Sequence, residues 1–118
     1  MHLYKVIIND VEEPIGYLIP KSGKKIRITI HDDGDTNYPI YKYKNYSHRS
    51  GVYAYAYSPD KKEIYIYFKG PKRAWYKYSK KDISAWIVDT MIRRAKRGWG
   101  LNRFINKYLP QYYWKGHY

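Results

Sequence analysis

Trp86, Arg93 and Arg97 recur at i, i+7 and i+11, a spacing that aligns them in one stripe if residues 82–97 form a helix. An aromatic plane beside guanidinium groups can stack on a nucleobase while holding the adjoining phosphates. The competing role for Trp86 is structural, packed under the aromatic C-terminal run QYYWKGHY. Arg94, Lys96, Trp99 and Arg103 extend the same basic and aromatic stretch. A second cluster lies in GPKRAW, residues 70–75, where Lys72 and Arg73 suit phosphate contact from a loop and Tyr76 follows as a stacking ring. Tyrosines form a third cluster. Tyr53, Tyr55 and Tyr57 alternate in one segment and Tyr65 and Tyr67 in the next, and a sheet can offer such a face to bases. Ordinary cross-strand aromatic packing, or an apolar layer covered by the N-terminal segment, accounts for the same pattern.

Catalytic chemistry is poorly served. His2, His31, His48 and His117 have no metal-ligand spacing, and cysteine is absent, which removes disulfides and thiolate metal sites. HDDGD, residues 31–35, could attract a hard cation, but it sits where a hairpin turn is expected and reads first as a solvated turn. A metal-dependent nuclease using Asp32, Asp33 or Asp35 is the enzyme alternative. Asp60 and Glu63 are followed by no carboxylate-x-Lys element, and there is neither a phosphate-cradling glycine loop nor a Ser/His/Asp constellation. The expectation is a non-catalytic protein with no cofactor and no bound metal.

The elements that must position these residues read as α+β. A short apolar run at 3–8 is a candidate strand, and residues 24–31 alternate, with Ile26, Ile28 and Ile30 on one face. Asp33-Gly34 then predicts a reversal into a partner strand at 38–44, giving a first hairpin. A second hairpin joins 52–57 to 64–69 through Ser58-Pro59-Asp60-Lys61, and 74–78 makes one more strand. Ser79 with Asp82 three residues on resembles a capping box, which predicts a helix over 82–97 stopped by Gly98. On that helix Ile83, Ala85, Ile87, Val88, Met91, Ile92 and Ala95 fill an apolar arc; Trp86, Asp89, Thr90, Arg93, Lys96 and Arg97 fill the opposite one. Leu101, Phe104, Ile105 and Tyr108 imply a second helix ending before Pro110. The expected architecture is one domain, an antiparallel sheet of two hairpins plus an extra strand with two C-terminal helices on one face.

Charge is divided unevenly along the chain. The 118 residues carry a formal net charge of +13. Residues 1–46 hold 7 Lys/Arg against 6 Asp/Glu, whereas residues 47–118 hold 16 against 4. A one-sign field over part of a small domain attracts polyanions, although lysine can also serve solubility alone. No run reaches the roughly 18–20 apolar residues of a membrane helix, and the N-terminus has no secretory-signal pattern. A cytoplasmic location is expected. The abundance of Tyr, Ile and Lys hints at a heat-adapted source.

From Ser50 onward the order of residues resembles the KTSC domain, a small module named for its occurrence at the C-terminus of some lysyl-tRNA synthetases. The resemblance rests on SGVYAYAYSPD, KKEIYIYFK, WYKYS, DISAWIVDTMIRRAKRG and GWGLNRFINKY, with Tyr57, Phe68, Tyr76, Tyr78, Gly98, Asn102 and Ile105 at matching positions. It covers about 60 residues, with the family's Val-Pro replaced by Lys80-Lys81 and with Pro59 interrupting the turn. It implies a compact sheet-plus-helix fold and a nucleic-acid connection, carries no catalytic residues, and extends to proteins of phages and archaeal viruses. The expected partner is thus DNA or RNA, single strands before duplexes and with weak sequence preference, for a monomer or a dimer. The second expectation is a protein-interaction factor, such as a viral inhibitor of a host protein, anchored by Tyr112, Tyr113 and Trp114.

Overall fold

Six strands and two helices follow one another along the chain in a computed structural model that describes residues 13–20, 27–32, 37–48, 50–69 and 75–109. The strands are β1 (Gly16–Ile19), β2 (Arg27–Thr29), β3 (Tyr38–Lys42), β4 (Val52–Tyr57), β5 (Glu63–Phe68) and β6 (Trp75–Ser79). The helices are α1 (Ala85–Arg97) and α2 (Leu101–Tyr108). All strands join one antiparallel sheet in the order β2-β1-β3-β4-β5-β6. The α+β class, with both helices on one face, is the one expected.

The first hairpin is a correction. Both β2 and β3 pair with β1, antiparallel in each case, so they run in the same direction and cannot be joined by a tight reversal at Asp33-Gly34. The strand 16–19 was not legible because GYLI is short and holds a glycine. Alternation in 24–31 is real, yet among the described residues of that run Arg27–Thr29 alone pairs, and Ile28 and Ile30 are exposed. The second hairpin stands as read: Tyr57 pairs with Ile64 and Ala54 with Tyr67 across β4 and β5. The candidate strand at 3–8 and the centre of the HDDGD segment lie outside the described residues.

Period-two alternation gives the sheet two apolar faces. Tyr55, Ile64, Ile66 and Tyr78 meet Val88, Met91, Ile92 and Ala95 of α1 and Leu101, Phe104 and Ile105 of α2. Full burial of each Val, Ile, Leu, Met or Phe side chain among them stabilises the fold by about 1.5–3 kcal/mol. A register shift between Val52 and Ala54 turns Val52 to this same face, because one extra residue flips the alternation. On the other face Ala54 and Ala56 lie between larger neighbours, and the Tyr38 and Tyr65 rings meet at 5.9 Å beside them. Leu18, Ile40 and Trp75 complete this second core.

The tyrosine platform does not form. Tyr65 is buried in the second core, while Tyr55 and Tyr57 belong to the helix face. Only Tyr53 and Tyr67 remain together toward solvent, edge to face at 6.2 Å.

Helix α1 begins later than its sequence suggests. Ser79 does not cap it; the Ser79 carbonyl accepts from Asp82 and Ile83 N–H groups, and its Oγ accepts from Lys81 N–H. These bonds make a separate turn, and the helix starts after Ser84. At its far end Gly98 adopts φ 85° and donates to the Arg94 carbonyl, as a terminating glycine should. Two wheel assignments also change. Ala85 is exposed at the first turn, and Thr90 is buried, its hydroxyl donating to the Trp86 carbonyl at 2.7 Å.

Candidate nucleic-acid interface

The C-terminal end of α1 carries Arg94, Lys96 and Arg97 in its last turn, where cations complement the negative end of the helix dipole. Helix α2 then doubles back. Arg94 lies against Gly100 and Phe104 at one end of the pair, and Trp86 against Tyr108 at the other, which fixes an antiparallel αα-hairpin. The joining turn is Gly98-Trp99-Gly100, with both glycines at positive φ. A Cβ on Gly100 would come within 2.8 Å of Arg97 Nη2, so glycine lets the guanidinium approach the turn.

Both arginines brace that turn. Arg94 Nη1 donates to the Gly100 carbonyl at 3.0 Å, and Arg97 Nε donates to the Trp99 carbonyl at 3.0 Å. The Arg97 guanidinium also lies 3.4 Å from the centre of the Trp99 ring, yet 51% of Trp99 remains exposed. Each guanidinium has five N–H donors in a fixed fork, so one bond to a carbonyl orients it without exhausting it.

A third element closes the site. The segment after β3 is tied to the helix pair by Tyr46 N–H donating to the Gly98 carbonyl at 3.0 Å. Asn45, at φ 54°, folds the segment on itself by accepting from Ser50 N–H. Tyr43 is buried beneath, its hydroxyl accepting from Leu101 N–H at 3.3 Å. Burial pushes that phenol's pKa up, while the Leu101 N–H and the nearby Arg97 and Arg94 charges pull it down.

Together these parts surround an open concavity of about 1200 Å³. Tyr43, Ser47 and Ser50 line it from the loop, and Arg94, Arg97 and Trp99 from α1 and the turn. Asn102, Arg103, Asn106 and Lys107 line it from α2. Four cations therefore face one space, and no carboxylate is among its described lining residues. The Arg97 pKa is pulled below its ordinary value, by desolvation first and then by the Arg94 and Arg93 charges. Arginine stays protonated regardless, so the crowding persists until an anion relieves it. Chemically the site offers phosphate forks, neutral amides and hydroxyls, and one aromatic ring. No nucleophile–base pair is among its lining residues.

The sequence-derived residues divide into several groups. Arg94, Arg97, Trp99 and Arg103 come together at this concavity. Arg93 and Lys96 point to a neighbouring groove of about 580 Å³ that also includes Arg97. Trp86 is elsewhere. It lies roughly 16 Å along the helix from Arg97, at about 1.5 Å per residue. Its ring stands edge-on to Phe104 and Tyr108, at 6.2 and 5.5 Å, and is 53% exposed. Its neighbours are thus α2 aromatics, and the single stripe of Trp86 with Arg93 and Arg97 is not one site. Tyr76 is also apart, on edge strand β6 against Phe68 at 5.2 Å. Lys72, Arg73 and the run 111–118 lie outside the described residues.

Sequence reasoning missed Tyr43, Ser47, Ser50, Asn106 and Lys107. A signal existed for α2: Asn102, Arg103, Asn106 and Lys107 occupy i, i+1, i+4 and i+5 with no acid among them. No such signal marks the loop, which reaches the site through tertiary contact alone. Among the described residues no group of three or more His, Asp or Glu is placed to hold a metal, and no helix is long and apolar enough to cross a membrane. Comparison with protein-family models, with curated proteins and with solved structures finds no match to this chain, and the site's geometry carries the functional argument.

Proposed function

We propose that this protein binds single-stranded nucleic acid, non-catalytically, in the concavity between the β3–β4 loop and the α1–α2 hairpin. The observation that carries the reading is the grouping of Arg94, Arg97, Arg103 and Lys107, with no opposing carboxylate among the described residues, beside a half-exposed Trp99 already stacked on Arg97. Phosphates displace counterions at the four cations, and an unpaired base extends the stack on the indole. Duplexes are the poorer ligand, because paired bases hide the faces that Trp99 would contact. The resemblance of the C-terminal part to the KTSC module points to the same class of partner.

Fluorescence anisotropy with labelled single-stranded and duplex oligonucleotides, across a salt series, tests the reading. Expected is submicromolar single-strand binding that weakens with salt and is lost in Arg97→Ala/Arg103→Ala with the fold intact. Equal or tighter duplex binding would instead implicate the exposed face of α2. Absence of binding at low salt would sink the proposal and turn attention to an acidic protein partner.

A further inference from the structure

Resting on the nucleic-acid reading, the geometry points to a ligand strand that crosses the C-terminal turn of α1 and enters a second basic groove, in which Lys61 is a phosphate-binding residue. That groove lies on the side of α1 away from α2 and is lined by Lys61, Asp89, Ile92, Arg93, Lys96 and Arg97. The one carboxylate among its described lining residues, Asp89, is paired with Lys80 at 2.8 Å. Arg97 lines both this groove and the concavity around Trp99, so the two are continuous over a single side chain. Charge complementarity commits the occupant. Lys61, Arg93 and Lys96 offer three cations beyond the four of the first site, and a sugar-phosphate backbone presents anions at regular spacing along such a path.

Lys61 has an independent peculiarity. It sits at φ 60° in the turn joining β4 and β5, where its N–H donates to the Ser58 carbonyl at 2.8 Å. That position, after the two central residues of the turn, favours glycine, whereas a lysine backbone is strained there. Such an outlier on the rim of a binding groove invites a functional explanation. Its long side chain supplies one, since glycine would satisfy the turn but leave the groove one charge short.

The turn's own preference makes the test clean. Lys61→Gly is expected to hold or raise Tm, so weaker binding cannot be ascribed to unfolding. Wild type, Lys61→Gly and Lys61→Gly/Lys96→Gln are titrated with single strands of about 4 and about 12 nucleotides, within the range of small single-strand sites. The longer strand is expected to lose about tenfold in the double variant, with a salt slope shallower by about 1.4, two contacts at ~0.7 each. The short strand, held at Trp99, is expected to bind all three proteins alike. Unchanged affinity for the long strand would overturn the second groove while leaving the first site standing. Equal losses on both lengths would also overturn it, since they would report a diffuse field and not a path. No binding of either length by wild type would overturn both this inference and the reading it rests on.

Discussion

Trp86 and Trp99 have nearly the same exposure, 53% and 51%, but their neighbours differ, and under the proposed function so do their roles. Trp99 is backed by a guanidinium and projects beside three more cations; Trp86 is wedged edge-on against Phe104 and Tyr108. Trp99→Ala is therefore expected to weaken single-strand binding by about 1–3 kcal/mol, the worth of one base stack, with Tm little changed. Trp86→Ala is expected to lower stability by about 1–2 kcal/mol, from lost area and two edge contacts, while leaving anisotropy titrations as in wild type. A reversal of these two phenotypes would show that the binding end of α1 had been misassigned. Gly98 offers a stricter test of the turn. A Cβ there would lie 2.8 Å from Lys44 Cβ, at a φ of 85°. Gly98→Ala should destabilise by about 2 kcal/mol, combining left-handed strain and overpacking, read as a fall in Tm together with weaker binding.

At the scale of elements, the face of the sheet opposite the helices is held by a polar knot at Glu63. Its Oε1 accepts from the Tyr38 and Tyr65 hydroxyls, each at 3.0 Å, and its Oε2 lies 3.5 Å from Lys77 Nζ. These contacts link β3, β5 and β6 across an otherwise apolar layer. Burial, with the Glu63 charge and hydrogen bond adding to it, pushes the Tyr38 phenol up to about 12. The raised value favours the neutral phenol in the folded state. Its contribution is thus fully present below the ordinary tyrosine value near 10 and is lost as pH rises through about 12. Tyr38→Phe should make the alkaline limb of a Tm-against-pH curve shallower between those values. An identical limb would mean that Tyr38 ionises as freely in the fold as outside it.

For the molecule as a whole, a net charge of +13 imposes self-repulsion on a small fold. Salt should therefore act in opposite directions on its two properties. Raising sodium chloride from about 20 to about 150 mM shortens the Debye length from roughly 20 Å to about 8 Å, and Tm should rise. Over the same range the affinity for a short single strand should fall, with a slope of log K against log salt near −3, about 0.7 for each of four contacts. A binding constant indifferent to salt would mean that the cations around Trp99 are not where the ligand is held.

Much of this arrangement is a direct consequence of local chemistry. Period-two alternation in 52–57 and 63–68, the helical spacing of 85–97 and 101–108, and the terminating Gly98 act over a few residues and so are legible in the chain. The basic character of the C-terminal part is likewise a matter of counting. Strand order is not local. GYLI at 16–19 gives little periodicity, yet it separates β2 from β3 because each pairs with three of its four residues, one along each edge. The bulge at Val52–Ala54, which reassigns tyrosines between faces, depends on a partner strand that the pattern of β4 cannot announce. The site shows the same division. Arg94, Arg97, Trp99 and Arg103 are near neighbours in sequence and were readable as a group, because a helix end and a tight glycine turn keep them close. Tyr43, Ser47 and Ser50 reach that group only because the loop after β3 packs onto Gly98 and Leu101. Trp86 leaves it because it lies about three turns from Arg97 along α1, where α2 folds back to set Phe104 and Tyr108 against its ring. The sequence by itself determined the charge, the elements and the aromatic–guanidinium chemistry; which cations share one space was decided by long-range packing, which no periodicity encodes.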